Sequence, residues 1–269
     1  MIPAISQVCT LHAAFEQDVE DFAAGGCTTS EIWLTKLETY LESHTVDQVS
    51  QLLKDHGMQT PVASYQGGLL ASQGEQRHEH WQHWYQRLEI CRALDIGTIV
   101  VACDVAPPLA KVDLERIRAS LQQLSQDAEQ HGVRVAVEFQ ALSAVGNNLQ
   151  TMAALVHETQ SSQMGICLDT YHFFVGPSKL SDLNFLEPDQ LFHVQLSDLA
   201  GIPRELSSDS DRILPGDGDV PLGPIVQCLR DMNYSGTVSV ELMNPQIWQV
   251  SPRQFSEIGM AALQKVLAS

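Results

Sequence analysis

The sequence predicts an α/β fold, and specifically a (β/α)8 barrel spanning residues 1–269 as one domain. Three observations carry this. Eight short strand-like runs recur along the chain, an amphipathic helical stretch follows most of them, and several of those stretches close on glycine. A doubly wound open sheet has a similar rhythm. It is disfavoured because no GxGxxG follows the first strand and the glycine pair within Tyr65–Gly68 is too short for a phosphate loop.

The strand candidates are Ile5–Cys9, Glu31–Leu34, Val62–Tyr65, Ile99–Cys103, Val133–Phe139, Gly165–Asp169, Phe192–Leu196 and Val238–Leu242. Between them, Val49, Leu52 and Leu53 precede Gly57. Trp81, Trp84, Tyr85, Leu88 and Cys91 precede Gly97, and Leu114, Ile117, Leu121 and Leu124 lead to Gly132. Such spacing marks one buried helix face, and glycine closes a helix by taking a left-handed backbone.

Side chains on a strand alternate between its two faces. In the last four runs one face is apolar: Val133, Val135 and Val137; Ile166 and Leu168; Phe192, Val194 and Leu196; Val238, Val240 and Leu242. The opposite faces end in Glu138, Asp169, Gln195 and Glu241. Parallel neighbouring strands would bring these four oxygen-bearing side chains to one end of the sheet, where a barrel keeps its catalytic loops. Two glutamates, one aspartate and one amide oxygen suit a single hard dication such as Mn²⁺, Mg²⁺ or Co²⁺, with Zn²⁺ also admissible. Packed together without a cation, three carboxylates would force at least one to keep its proton.

The chain has 269 residues, 44% of them hydrophobic, with a formal charge of −18. That charge excludes a nucleic-acid or anionic-membrane partner, which would need a basic footprint. No segment is apolar enough to span a bilayer, and the start MIPAISQVCT has no charged leader, so a cytoplasmic protein is expected. The six cysteines form no CxxC pair and read as buried, reduced thiols.

The segments VAVEFQ, ICLDTYHF, HVQLSD, RILPGDGDVPL and VSVELMNPQIW, in that order, resemble the xylose-isomerase-like TIM barrel superfamily of sugar isomerases and epimerases. The likeness covers the chain from Val133 onward and is weaker before it. It implies that Glu138, Asp169, Gln195 and Glu241 bind one divalent metal. Glu138 and Glu241 would also shuttle protons through a metal-stabilised enediolate, and His172 of the DxxH unit and Arg212 before the Pro-Gly turn would bind substrate. The implied substrate is a small polyhydroxy ketone, sugar, sugar phosphate or hydroxy-keto acid, and the implied assembly is a homo-oligomer. One departure stands out. Many epimerases carry HxH on strand seven, whereas HVQ places Gln195 at the second position. This feature keeps a 3-dehydroshikimate dehydratase-like lyase as the alternative. An AP-endonuclease-like repair enzyme is disfavoured, because VASYQ and VVACD end without the histidines it needs.

Other polar residues are expected to be incidental. His78, His80 and His83 read as the wet side of a helix, Trp33 as either pocket wall or core, and Trp248 as either a cover over the barrel mouth or a self-association contact.

Overall fold

The computed structural model describes residues 1–269. Eight parallel strands close into a barrel in chain order: β1 (Ile2–Ser6), β2 (Thr29–Trp33), β3 (Gln59–Gln66), β4 (Thr98–Cys103), β5 (Arg134–Phe139), β6 (Met164–Asp169), β7 (Leu191–Leu196) and β8 (Thr237–Val240). The ring shuts where β1 pairs with β8, Ile2 opposite Thr237 and Ile5 opposite Val240. Around it lie α1 (Phe15–Ala24), α2 (Leu34–Leu41), α3 (Val46–Asp55), α4 (Gly74–Ala93), α5 (Lys111–His131), α6 (Leu149–Glu158), α7 (Thr170–Val175), α8 (Leu222–Asp231) and α9 (Pro252–Ala268). The eight-stranded α/β barrel expected from the sequence is the fold observed, and no helix is long and apolar enough to cross a membrane.

Apolar residues divide into two bodies. A cluster of 62 buried residues, including Val135, Val137, Ile166, Leu168, Val194, Val238 and Val240, fills the layer between strands and helices. Inside the ring a separate small plug of Val62, Val100, Ala136, Cys167 and Phe192 closes the floor. Polar residues stand above that plug because the inward positions of the strands alternate with the outward valines and leucines.

Two strand expectations need correction. The first strand lies three residues earlier than Ile5–Cys9, because Gln7–Thr10 form a 3₁₀ turn whose side chains are all buried. A continuous buried run gives no periodicity that separates strand from turn. Phe192 was expected on the outer apolar face, yet it belongs to the inner plug. The β6–β7 register slips here: Ile166 pairs with Leu191 but Cys167 pairs with His193, leaving Phe192 as the extra residue of a bulge. Gly165 makes room for it, since a Cβ at that position would sit 2.6 Å from the Phe192 ring. All six cysteines are free and five are fully buried, as the absence of CxxC pairs suggested.

Helix starts are fixed locally. Thr45 caps α3 with a reciprocal Gln48 bond, and Asn148 accepts from the Thr151 amide at the start of α6. Asp169, the last residue of β6, caps α7. Its Oδ1 accepts from the amides of Tyr171 at 2.6 Å and His172 at 3.2 Å. This cap sets where His172 projects.

Candidate metal centre and active site

A cavity of about 500 Å³ opens at the carboxyl ends of the strands. Glu138, His172, Gln195, Arg212 and Glu241 line it, with Asp169 fully buried directly behind Arg212. All six residues expected from the sequence therefore meet in one place. Glu138, Asp169 and His172 each bring a ligand atom within 4.8 Å of the others.

Arg212 organises the carboxylates. Its Nη1 donates to Asp169 Oδ2 at 2.6 Å and to Glu241 Oε2 at 2.9 Å, while Nη2 donates to Asp209 Oδ1 at 2.7 Å. The guanidinium is 1% exposed and lies 4.4 Å from the Tyr171 ring. Its place depends on the loop after β7. Asp198 accepts from the amides of Leu199, Val220 and Gly216, each at 2.9 Å, and its backbone pairs with Ile213. Gly218 lies so close that a Cβ would stand 2.4 Å from Asp198 Oδ1, and Asn244 donates to the Arg212 carbonyl.

Gln195 is present but turned otherwise than expected. Its amide nitrogen donates to Glu241 Oε1 and Glu31 Oε1, both at 2.9 Å, and its oxygen accepts from the Cys167 thiol at 3.0 Å. Two carboxylates on one side of the amide demand donors, so the nitrogen faces them and the oxygen turns away. In this arrangement the Gln195 amide nitrogen bridges Glu241 and Glu31. His172, expected as a substrate contact or as the base of a dehydratase, also stands among the ligand atoms.

The electrostatics follow from burial. Burial lifts the Glu138 carboxyl to about 8, and the neighbouring Asp169 charge adds to the lift. Burial also pushes Glu241 well above the ordinary carboxylate range against the pull of Arg212. Asp169 is equally buried, but the Arg212 guanidinium and its hydrogen bond outweigh that and hold it at about 2. Burial lowers His172, favouring a neutral imidazole. Glu138 and Glu241 therefore keep their protons beside the ionised Asp169–Arg212 pair, and a dication would displace those protons and take the carboxylates as ligands. The hard oxygen and imidazole donors of Glu138, Asp169, His172 and Glu241 fit such an ion.

Several participants were not foreseen. Glu31 on β2 and His193 on β7 are both 0% exposed and bond at 2.8 Å across the barrel interior, with Ser239 Oγ 3.3 Å from the same His193 nitrogen. Residues 162 positions apart leave no local signal of such a pair. Gln140 donates to Glu138 Oε2 at 2.9 Å. His80 and His83 were expected on the wet side of a helix, yet both line the cavity, His80 against the Gly68 carbonyl and His83 against Glu38. Trp33 lines the cavity too, whereas Trp248 packs away from it, donating to the Val8 carbonyl beside His12.

The sequence model of the family described as "Xylose isomerase-like TIM barrel" matches residues 19–266. The chain belongs to that family. Within it, an inosose isomerase of Bacillus licheniformis is 28% identical over 235 residues, covering 80% of this chain and 83% of the relative. A 3-dehydroshikimate dehydratase of Pseudomonas putida is 22% identical, covering 94% of this chain but 40% of the relative. Among solved folds, the crystal structure of IOLI protein, which holds a zinc atom, superposes with a TM-score of 0.92 at 22% identity, covering 100% of this chain and 98% of that one. In this xylose isomerase-like barrel, the match extends well before Val133, where the sequence motifs thin out.

Proposed function

We propose that this barrel is a divalent-metal-dependent isomerase or epimerase acting on a small polyhydroxy ketone by proton transfer next to the carbonyl. The observation that carries the reading is the pair Glu138 and Glu241. Both are buried carboxyls with raised proton affinity, facing one cavity. The similarity to inosose isomerases supports the same class of chemistry.

The chain's own residues divide the work. Glu138 has one oxygen engaged by Gln140 and the other without a partner in the protein, so it is the group free to take a carbon-bound proton. With its value raised to about 8, Glu138 does this work in its ionised form, which a bound dication would favour. Glu241 is bracketed by Gln195 and Arg212, which fix its carboxyl as the second proton carrier. Arg212 spends its donors on Asp169, Glu241 and Asp209 and lies against His172, so it positions the carboxylates, and His172 stands beside them. Held by Glu138, Asp169, His172 and Glu241, the dication would polarise the substrate carbonyl and stabilise charge developing on its oxygen.

The test is NMR of inosose in D₂O with Mn²⁺ and the protein. Deuterium should enter at the carbon beside the carbonyl, and Glu138→Gln should abolish the exchange. No exchange in inosose or any other ketose offered would overturn the reading. A lyase remains the second reading, favoured by His172 standing within the acidic cluster and by the dehydratase relative. Loss of water with a new ultraviolet chromophore from 3-dehydroshikimate would select it.

A further inference from the structure

We propose that Trp33 and Tyr65 form a fixed aromatic platform on one wall of the cavity, which selects substrates presenting a flat C–H face. Ring-closed polyols would then be preferred over open-chain ones. The proposal rests on the isomerase reading and names the shape of substrate that the same site accepts.

The two rings stack with centroids 4.3 Å apart and planes 30° apart. Both line the cavity that holds Glu138, Arg212 and Glu241. Trp33 is 6% exposed and backs the pair, while Tyr65 is 54% exposed and presents its surface to the opening. Tyr65 also sits at φ +77°, a left-handed backbone that a bulky residue rarely adopts. Stacking on Trp33 is the packing gain that Tyr65 has in this conformation, and its outer face is left open. Such strain persists where neighbours over-determine it, typically at ligand sites.

Those neighbours are visible. Arg87, 3% exposed, donates from Nη1 to the Tyr65 carbonyl at 2.7 Å and to Gln66 Oε1 at 3.1 Å. Its other nitrogens grip Glu38 as a fork, at 2.6 and 2.8 Å. Three residues on, Gly68 takes φ +75°, with its amide held by Asp104 and its carbonyl by His80. The platform is therefore set before any ligand arrives, which removes an ordering cost from binding. A six-membered polyol ring carries its C–H bonds on two broad faces that can lie on an aromatic surface. An open-chain ketose offers no such face and gains little from one.

The test uses saturation-transfer NMR and affinity titration with two ligands, myo-inositol and dihydroxyacetone. Myo-inositol has the ring but no carbonyl, so its binding tests the platform, whereas deuterium exchange on inosose tests the reaction. The parent protein should pass saturation to the ring protons of myo-inositol. Tyr65→Phe should bind it as the parent does. Tyr65→Gly, which suits the left-handed backbone and so folds, should weaken myo-inositol about tenfold and leave dihydroxyacetone within about twofold. Arg87→Lys keeps the charge but loses the fork, and should shift the preference between the two ligands toward that of Tyr65→Gly. The proposal is overturned if the parent fails to bind myo-inositol, if Tyr65→Gly binds it unchanged, or if both ligands weaken equally.

Discussion

The amide nitrogen of Gln195 stands 2.9 Å from Glu241 Oε1 and an equal distance from Glu31 Oε1, so one side chain ties the active-site rim to the barrel floor. Below it, Glu31 is also bonded to His193, and above it Glu241 is bonded to Arg212. His193, Glu31, Gln195, Glu241 and Arg212 are thus linked in one chain of donors and acceptors.

Cutting that chain at its centre should be costly. Gln195→Leu keeps the approximate volume but strips a donor from each of two buried carboxylates. We expect about 2 kcal/mol or more of lost stability, since a bond to a charged group contributes about 1.5–3 kcal/mol. Urea unfolding of the two proteins measures it.

Removing the guanidinium should cost more. Arg212→Met leaves Asp169 and Glu241 buried without their cation, and breaking a buried pair from one side costs about 3–5 kcal/mol. The loss should shrink at low pH, where the stranded carboxyls take up protons. Thermal melts across pH would reveal this.

A bound dication should stabilise the fold. At a Mn²⁺ concentration of about 100 times Kd the gain is about 2.7 kcal/mol. Glu241→Gln should erase most of that gain. Calorimetric melts with and without Mn²⁺ decide it.

That gain should depend on pH through Glu138. Its folded value of about 8 lies above the ordinary 4.5, so the folded protein holds this proton more tightly than the unfolded chain. The stabilising contribution is full below about 4.5 and is lost as pH rises through about 8. A dication competes with the same proton, so its binding releases protons and tightens over that window. Metal-free protein should melt lower at about pH 8 than at about pH 6, with a larger Mn²⁺ increment at the higher pH. Titration calorimetry in two buffers would count the released protons.

Asp198→Ala should free the backbone it collects from Leu199, Gly216 and Val220. We expect turnover to fall much further than stability, because Arg212 loses its fixed position. Steady-state rates beside melting curves separate the two effects.

Much of this site was legible from strand phase alone. Glu138, Asp169, Gln195 and Glu241 share the face opposite a valine or leucine row, and period-two alternation carries that directly. Phe192 escaped because a bulge inserts one residue and breaks the alternation. The orientation of Gln195 escaped because it is dictated by Glu31, which arrives from the far side of the ring. His80, His83 and Arg87 escaped for a different reason. They lie on α4, whose polar positions look solvent-facing until the helix is seen flanking the mouth of the barrel. Contacts between distant segments leave no mark on local pattern.

Asp198 takes three amides and a backbone bridge onto one residue, so the long excursion after β7 is closed off at its base. The stretch from 201 to 208 makes none of these bonds and lies outside the cavity lining, so mutation there leaves the arginine at its foot in place.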